Sequence, residues 1–311
     1  MLVLDAEAVR SRAPLPAMID CLRAAFRRQT VAHPRQIVDL PGGRSLLVMP
    51  AFDAQGAGAV KLATVSPGNA AKGLPTVQAA IVAFSENGTP IALIDGATVT
   101  QLRTAAASAL ASQYLSREDS AHLVVIGTGA LAPYMAAAHC TVRPITRVSV
   151  CGRRKERAVA AVNAIRSLVS SQVEVSVAES VEGAVAAADI VTCATTSKTP
   201  VLLGRWLKRG VFVDLVGSFK PSTREADDDV VLRSRIFVDT FEGALAEAGD
   251  LLDPLERGVL SRERIEGELA DLVSGRVTGR ANPDESIVFK SVGTAIEDLA
   301  AVQLVVGNTA A

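Results

Sequence analysis

Between residues 121 and 240 short, mostly apolar runs return at regular intervals, near 123–126, 147–151, 173–177, 189–193, 211–215 and 235–239. Helical stretches such as 153–167 and 180–187 fall between most of them. Runs this short and this apolar are strands buried on both faces. A buried strand followed by a helix, repeated, predicts a parallel, doubly wound sheet. This rhythm constrains the fold more than any other feature of the chain.

The first of those strands runs into a tight turn, LVVIGTGALAP over 123–133. Gly127-Thr128-Gly129-Ala130-Leu131-Ala132 reads as GxGxxA. The first glycine permits the turn, and the second lets backbone approach a pyrophosphate. The small third residue lets helix and strand pack closely, with the helix N-terminus facing the phosphates. Alone the pattern is weak, but here it opens a βαβ unit of the expected size and points to a bound dinucleotide rather than a structural corner. The second strand ends at Cys151, followed by Gly152, Arg153, Arg154 and Lys155, where an NAD site would usually place an acid against the ribose hydroxyls. Without that acid, and with arginines able to hold a 2′-phosphate bidentately, the expected cofactor is NADP(H), with NAD(H) as the alternative. A solvated basic helix start is the competing reading, and the helix dipole opposes it unless an anion is present.

Before residue 121 the pattern differs. Pro16 opens an amphipathic helical stretch over 16–29, with Arg27 and Arg28 near its end. Alternating runs over 35–40 and 44–49 flank Pro41-Gly42-Gly43, and a third lies near 59–65. TVQAAIVAF and TPIALID flank Glu86-Asn87-Gly88, and Asn-Gly between alternating runs is a hairpin signal. These runs predict an antiparallel, meander-like sheet, followed by an Ala-rich helix from Thr98 to Leu115. After about 240 come a polar helical stretch, the run IVFK and a last apolar helix over 293–305. Neither IVFK nor that helix reads as another βα unit, so the C-terminus is read as returning to the first domain.

Composition narrows the function. Apolar residues make up 49% and aromatics 4%, which suits aliphatic cores in α/β layers. A formal net charge of −1 provides no electrostatic footprint for nucleic acid. Cys21, Cys140, Cys151 and Cys193 are far apart, with no CxxC and no histidine at ligand spacing. Reduced thiols in the cytoplasm and no metal site are the expectation. From Ser120 to Val142 there is no Asp, Glu, Lys or Arg, nearly the length of a membrane span. Gly127, Gly129 and Pro133 make it a buried strand, a turn and a buried helix instead, and the N-terminal MLVLDAEAVR has too many acids for a signal peptide. No membrane partner is expected.

Taken in order, short motifs along nearly the whole chain resemble the ornithine cyclodeaminase/mu-crystallin family. They are Pro34-Arg35 before a hairpin, Gly58-Ala59-Val60-Lys61 on a strand, Gly73-Leu74-Pro75-Thr76, and Arg103-Thr104-Ala105-Ala106. The glycine turn, Val216-Gly217-Ser218 and Lys290-Ser291-Val292-Gly293 complete the set. The resemblance implies an α/β fold in which a Rossmann-type domain, 118–285, is inserted into an α+β substrate and dimerisation domain made of 1–117 and 286–311. It also implies a homodimer acting on a small imino or amino acid. It carries substrate binding to Arg35, Lys61, Arg103 and Gly293. Cofactor binding carries to Thr76, Arg103, Thr104, Gly127, Gly129, Ala130, Leu131, Arg153, Arg154, Thr195, Val216, Gly217, Ser218 and Val292.

The chemistry of the cations agrees with that assignment. A small α-imino acid presents a carboxylate, which two guanidinium forks and an ammonium can fix while orienting the carbon that accepts hydride. Lys61 is the expected catalytic residue, keeping the imine nitrogen protonated or acting only electrostatically; a solvated lysine is the plainer reading. Arg103 falls in the first turn of its helix if Thr100 caps it, where a shared anion would offset the dipole. It can then meet substrate, cofactor phosphate, or both.

The chain departs from the family pattern at Phe219, where ornithine cyclodeaminases carry an aspartate that engages the distal amine. Phenylalanine can neither accept that amine's proton nor pair with an ammonium; the plainer reading is that Phe219 is simply core. The pattern resembles the members that reduce cyclic imines of the Δ1-pyrroline-2-carboxylate or Δ1-piperideine-2-carboxylate type. The rivals are an ornithine cyclodeaminase or alanine-dehydrogenase-like deaminase, and a non-catalytic NADPH-binding protein. His33, His122 and His139 are read as structural, and Asp227-Asp228-Asp229 as a helix start rather than a metal site.

Overall fold

The computed structural model describes residues 1–28 and 31–307. Contacts divide the chain into two compact units, Met1–Ala106 with Gly293–Ala311, and Ala107–Val292.

In the first unit β1 (Leu2–Leu4) leads through α1 (Ala6–Arg12) and α2 (Leu15–Arg27) to β2 (Val31–Ala32), β3 (Gln36–Leu40), β4 (Arg44–Phe52), β5 (Gly58–Val65), β6 (Val77–Phe84) and β7 (Pro90–Asp95). The amphipathic stretch is thus helical over Leu15–Arg27, and residue 29 lies outside the described residues. The seven-stranded sheet has the order β1-β7-β6-β5-β4-β2, with β3 paired to β4. All its ladders are antiparallel except β1 with β7, and β6 and β7 are joined through the Asn-Gly turn. Period-two alternation buries Ala59, Lys61, Ala63 and Val65 of β5 on one face and leaves Leu62 exposed on the other. β1 and α1 were not foreseen, because so short a run at a terminus carries no periodicity.

From β7 the chain enters α3 (Gly96–Leu115), which runs unbroken past residue 106, where the first unit ends. The second unit continues through β8 (His122–Ile126), α4 (Ala132–Val142), β9 (Arg147–Cys151), α5 (Lys155–Arg166), β10 (Glu174–Val177), α6 (Val181–Ala187), β11 (Ile190–Cys193) and β12 (Phe212–Leu215). Then come α7 (Asp228–Leu232), β13 (Arg235–Val238), α8 (Phe241–Glu247), α9 (Gly249–Glu256), β14 (Ile265–Glu268), α10 (Leu269–Ser274) and β15 (Ile287–Lys290). Its eight strands are all parallel, in the order β10-β9-β8-β11-β12-β15-β13-β14. The order reverses between β8 and β11, the switch point at which such sheets bind ligands.

Two expectations need correction. The run IVFK is not part of a C-terminal return; it is β15, hydrogen-bonded between β12 and β13 in the middle of this sheet. Four buried residues with no helix directly before them look the same at an edge as at a centre, so sequence order hides the insertion. The chain re-enters the first unit at Gly293, not at 286. The strand β14, IEGE, has too few apolar residues to announce itself.

The last helix, α11 (Ala295–Val306), belongs to the first unit and packs against α2, β4 and β5. No helix among the described residues is long and apolar enough to cross a membrane.

Candidate functional site

The first unit gathers the three expected substrate cations. Lys61 stands in the middle of β5 with 2% of its surface exposed, on the face that α11 covers. Its Nζ donates to Asp298 Oδ1 at 2.8 Å and lies 2.6 Å from Oδ2. Arg103, from α3, donates from Nε to Asp298 Oδ1 at 3.1 Å and from Nη1 to Glu297 Oε2 at 2.5 Å. Arg35, just before β3, donates from Nη2 to the Gly293 carbonyl at 2.5 Å. Gly293 has φ +82°, and a Cβ there would lie 2.5 Å from Arg103 Nη1. Only glycine lets the backbone turn between both arginines at that spot.

Glu297 and Asp298 were not foreseen as part of the site. They occupy the first turn of α11, where the dipole favours carboxylates, and both are buried. Two adjacent acids in an otherwise apolar helix were the available signal. The reading of Arg103 changes with them. Its helix starts at Gly96, with Asp95 Oδ1 accepting the Thr98 N–H at 2.8 Å, and Thr100 Oγ1 donates back to the Gly96 carbonyl at 2.7 Å. Thr100 is therefore interior rather than a cap, Arg103 is beyond the first turn, and the two carboxylates of α11 balance its charge. Thr104 is buried beside it in α3, and Thr76 is half-buried immediately before β6.

Burial lowers the Lys61 ammonium from its ordinary range to about 8. Asp298 opposes that fall, while the Arg103 and Arg35 charges add to it. Burial pushes the Asp298 carboxyl up, but Lys61, Arg103 and Arg35 outweigh it and hold the group below the usual range. The result is a permanent anion beside an ammonium that can give up its proton near neutral pH.

The second unit carries the glycine turn at the carboxyl end of β8. Gly127 has φ +130°, and a Cβ there would lie 2.5 Å from the Ala194 carbonyl. Gly129 has open space where its Cβ would be. Ala130 and Leu131 lead into α4, whose N-terminus has no side-chain cap and no acid in its first turn. An open glycine before an uncapped helix end fits a pyrophosphate. Arg153 and Arg154 are exposed at the start of α5, which likewise has no side-chain cap.

Thr195 follows β11, and Val216, Gly217 and Ser218 follow β12. The Ser218 hydroxyl is fully buried and donates to the Thr223 carbonyl, so its side chain holds its own loop. Val292 donates its N–H to Asp239 Oδ2 at 2.8 Å. Phe219 packs half-buried against the apolar cluster of Val231, Ile236, Val238 and Val292. His139 lies 3.2 Å from Asp214 and His122 Nε2 lies 2.9 Å from Ser149 Oγ, both inside the unit. Asp227 caps α7 by accepting the Val230 N–H. Among the described residues no group of three or more His, Cys, Asp or Glu could hold a metal ion.

The family model described as "Ornithine cyclodeaminase/mu-crystallin family" matches residues 1–311. A Delta(1)-pyrroline-2-carboxylate reductase of Colwellia psychrerythraea is 38% identical over 317 residues, covering 100% of both chains. Among solved structures, Thermococcus litoralis Delta(1)-pyrroline-2-carboxylate reductase, in complex with NADH and L-proline, superimposes with a TM-score of 0.94 at 33% identity, covering 98% of this chain and 96% of that one. An archaeal alanine dehydrogenase dimer with bound NAD gives 0.91 at 29% identity, covering 98% and 94%.

Proposed function

The chain belongs to the ornithine cyclodeaminase/mu-crystallin family, and within it we propose an NADPH-dependent reductase of a small cyclic imino acid, of the Δ1-pyrroline-2-carboxylate or Δ1-piperideine-2-carboxylate type. The observation that carries this reading is the buried Lys61, held by Asp298 among Arg103 and Arg35. Arg35 and Arg103 fix the substrate carboxylate, and Gly293 sets the space between them. Lys61 keeps the imine nitrogen protonated, because its ammonium loses its proton readily from a buried site. Thr104 follows Arg103 in α3 and Thr76 immediately precedes β6, and both are assigned to the cofactor's side of the site.

The dinucleotide, when bound, supplies the hydride that the imine carbon accepts. Gly127, Gly129, Ala130 and Leu131 hold its pyrophosphate, while Arg153 and Arg154 hold a 2′-phosphate and so favour NADPH over NADH. Thr195, Val216, Gly217, Ser218 and Val292 form the rest of its edge. The relatives' names support this substrate class, and the Thermococcus litoralis structure contains both NADH and L-proline.

Phe219 supports reduction over cyclodeamination, since no carboxylate stands at that position to manage a distal amine. A second copy of the chain is the proposed partner. The first unit's sheet leaves Val3, Leu62, Ile91 and Leu93 exposed, an apolar face that a homodimer would cover. Free buried thiols at Cys151 and Cys193 suit the cytoplasm.

The test is an NADPH-oxidation screen over five- and six-membered cyclic imino acids and open-chain keto acids with ammonia, with ornithine assayed separately with NADP+ or NAD+ by the proline and ammonia formed, because that conversion consumes no net reductant. Turnover on a cyclic imine and not on ornithine is expected. Turnover on pyruvate with ammonia alone would favour a deaminating dehydrogenase, and tight NADPH binding with no turnover would favour a binding protein.

A further inference from the structure

One buried side chain ties together the loops that follow β11 and β12. Glu225 Oε1 accepts the Thr195 N–H at 2.6 Å, while Oε2 accepts those of Gly217 and Ser218 at 2.6 and 3.1 Å. The loops approach so closely that a Cβ on Gly217 would lie 2.0 Å from the Thr195 carbonyl. Glu225 is itself held from two other elements. Asp250 of α9 accepts the N–H groups of Glu225 and Ala226 at 2.7 and 3.0 Å, and Lys290 of β15 donates to Asp250 at 3.0 Å. Glu225, Asp250 and Lys290 are all fully buried. An ionised carboxylate can accept from both loops at once. A glutamine cannot, because its NH2 would face an N–H.

A dinucleotide on a sheet of this topology lies across the switch point with one half on either side. The glycine turn and the arginines after β9 take the adenosine half, which leaves β11 and β12 for the nicotinamide half. We propose that Glu225 is a positioning residue that shapes the nicotinamide half of the cofactor site by clamping the loops after β11 and β12. The inference rests on the dinucleotide reading above, but not on the identity of the substrate.

The charge on Glu225 is poised. Burial raises its carboxyl to about 7, Lys290 opposes the rise and Asp250 adds to it, while the Thr195 N–H favours the anion. Cys193, at the end of β11, faces the same group as a neutral thiol, pushed well above its ordinary range by burial and by these carboxylates. Protonation turns one accepting oxygen into a donor, so one loop loses its bond as pH falls through that range.

The experiment compares binding of NADPH with binding of 2′,5′-ADP, which contains only the adenosine half, to the full-length protein. Glu225→Gln is expected to weaken NADPH by about tenfold or more and 2′,5′-ADP by less than about twofold. In the unmodified protein the ratio of NADPH affinity to that of 2′-phospho-ADP-ribose, which lacks only the nicotinamide, is expected to fall as pH drops from 8 to 6; both ligands carry the same 2′-phosphate and pyrophosphate, so their titration cancels in that ratio. Unchanged NADPH affinity in the variant, or equal weakening of both ligands, would overturn the clamp. If the variant does not fold, the pH series decides, and a constant ratio overturns the proposal. Failure of the unmodified protein to bind either ligand removes the dinucleotide reading itself, an outcome distinct from a failed clamp.

Discussion

Each unit buries a cluster of charges, and the two clusters are built oppositely. In the first, Arg35, Lys61 and Arg103 surround Glu297 and Asp298, so the named cations outnumber the acids. In the second, Glu225 and Asp250 share Lys290, so the acids outnumber the cation. Backbone satisfies the second excess, because N–H groups from Thr195, Gly217, Ser218, Glu225 and Ala226 point at the two carboxylates. The proposed substrate carboxylate would join the first cluster, where Arg35 and Arg103 are already oriented by the Gly293 carbonyl and Glu297. The acid-rich cluster therefore reads as scaffold and the cation-rich one as chemistry.

The sharpest way to break that contrast is to remove Lys61. Lys61→Met is expected to lower turnover of a cyclic imine by about 10²–10⁴-fold, the usual worth of a positioned proton donor. NADPH affinity, measured by fluorescence titration, should hold within about twofold. Turnover within about threefold of the unmodified enzyme would show that Lys61 is packing rather than chemistry. Next in size is Asp298→Asn, which strips an ionised partner from both Lys61 and Arg103. Breaking a buried pair in this way costs about 3–5 kcal/mol. Urea unfolding should record the loss, and a change below about 1 kcal/mol would mean the cluster is wetter than its burial indicates.

The cations of the first cluster were legible in the sequence while their partners were not, and the reason is physical. Lys61 interrupts an apolar alternating strand, and arginines beside small residues stand out, so each announced itself. Glu297 and Asp298 looked like ordinary first-turn acids on the last helix, and only α11 packing on β5 turns them inward. The parallel sheet was legible because each buried strand is a local signal. The place of β15 within it was not, because pairing order is set by contacts far apart in sequence. Glu225 and Asp250 were missed for the same reason: each lies in a loop or at a helix start and becomes a partner only when β11, β12 and β15 are assembled.

A smaller effect sharpens the comparison at the cofactor. Arg153→Ala with Arg154→Ala should cost NADPH about 1.5–3 kcal/mol, the range for hydrogen bonds to charged groups, or roughly one to two powers of ten in affinity. NADH affinity should be nearly unchanged in the same variant. Equal affinity of the unmodified protein for both cofactors would assign those arginines to the solvated face of α5 instead.

The smallest effect is a pH dependence, and its sign follows from which cluster is asked to release a proton. Burial lowers Lys61 to about 8, with Arg103 and Arg35 pushing the same way and Asp298 resisting. Reduction needs the ammonium, so kcat/KM for the imine should fall as pH rises through about 8, losing about half its value between pH 7 and 8. Oxidation of the cyclic amino acid needs the neutral amine, so its kcat/KM should rise over the same interval. A bound substrate carboxylate adds negative charge beside Lys61 and stabilises its proton, so the fall in kcat should lie at higher pH than the fall in kcat/KM. Arg35→Gln removes one of the charges that lower Lys61. That variant should turn over more slowly, yet its kcat/KM limb should also move to higher pH. A limb that stays in place in Arg35→Gln, or profiles for reduction and oxidation that fall together, would show that the titrating group is not Lys61.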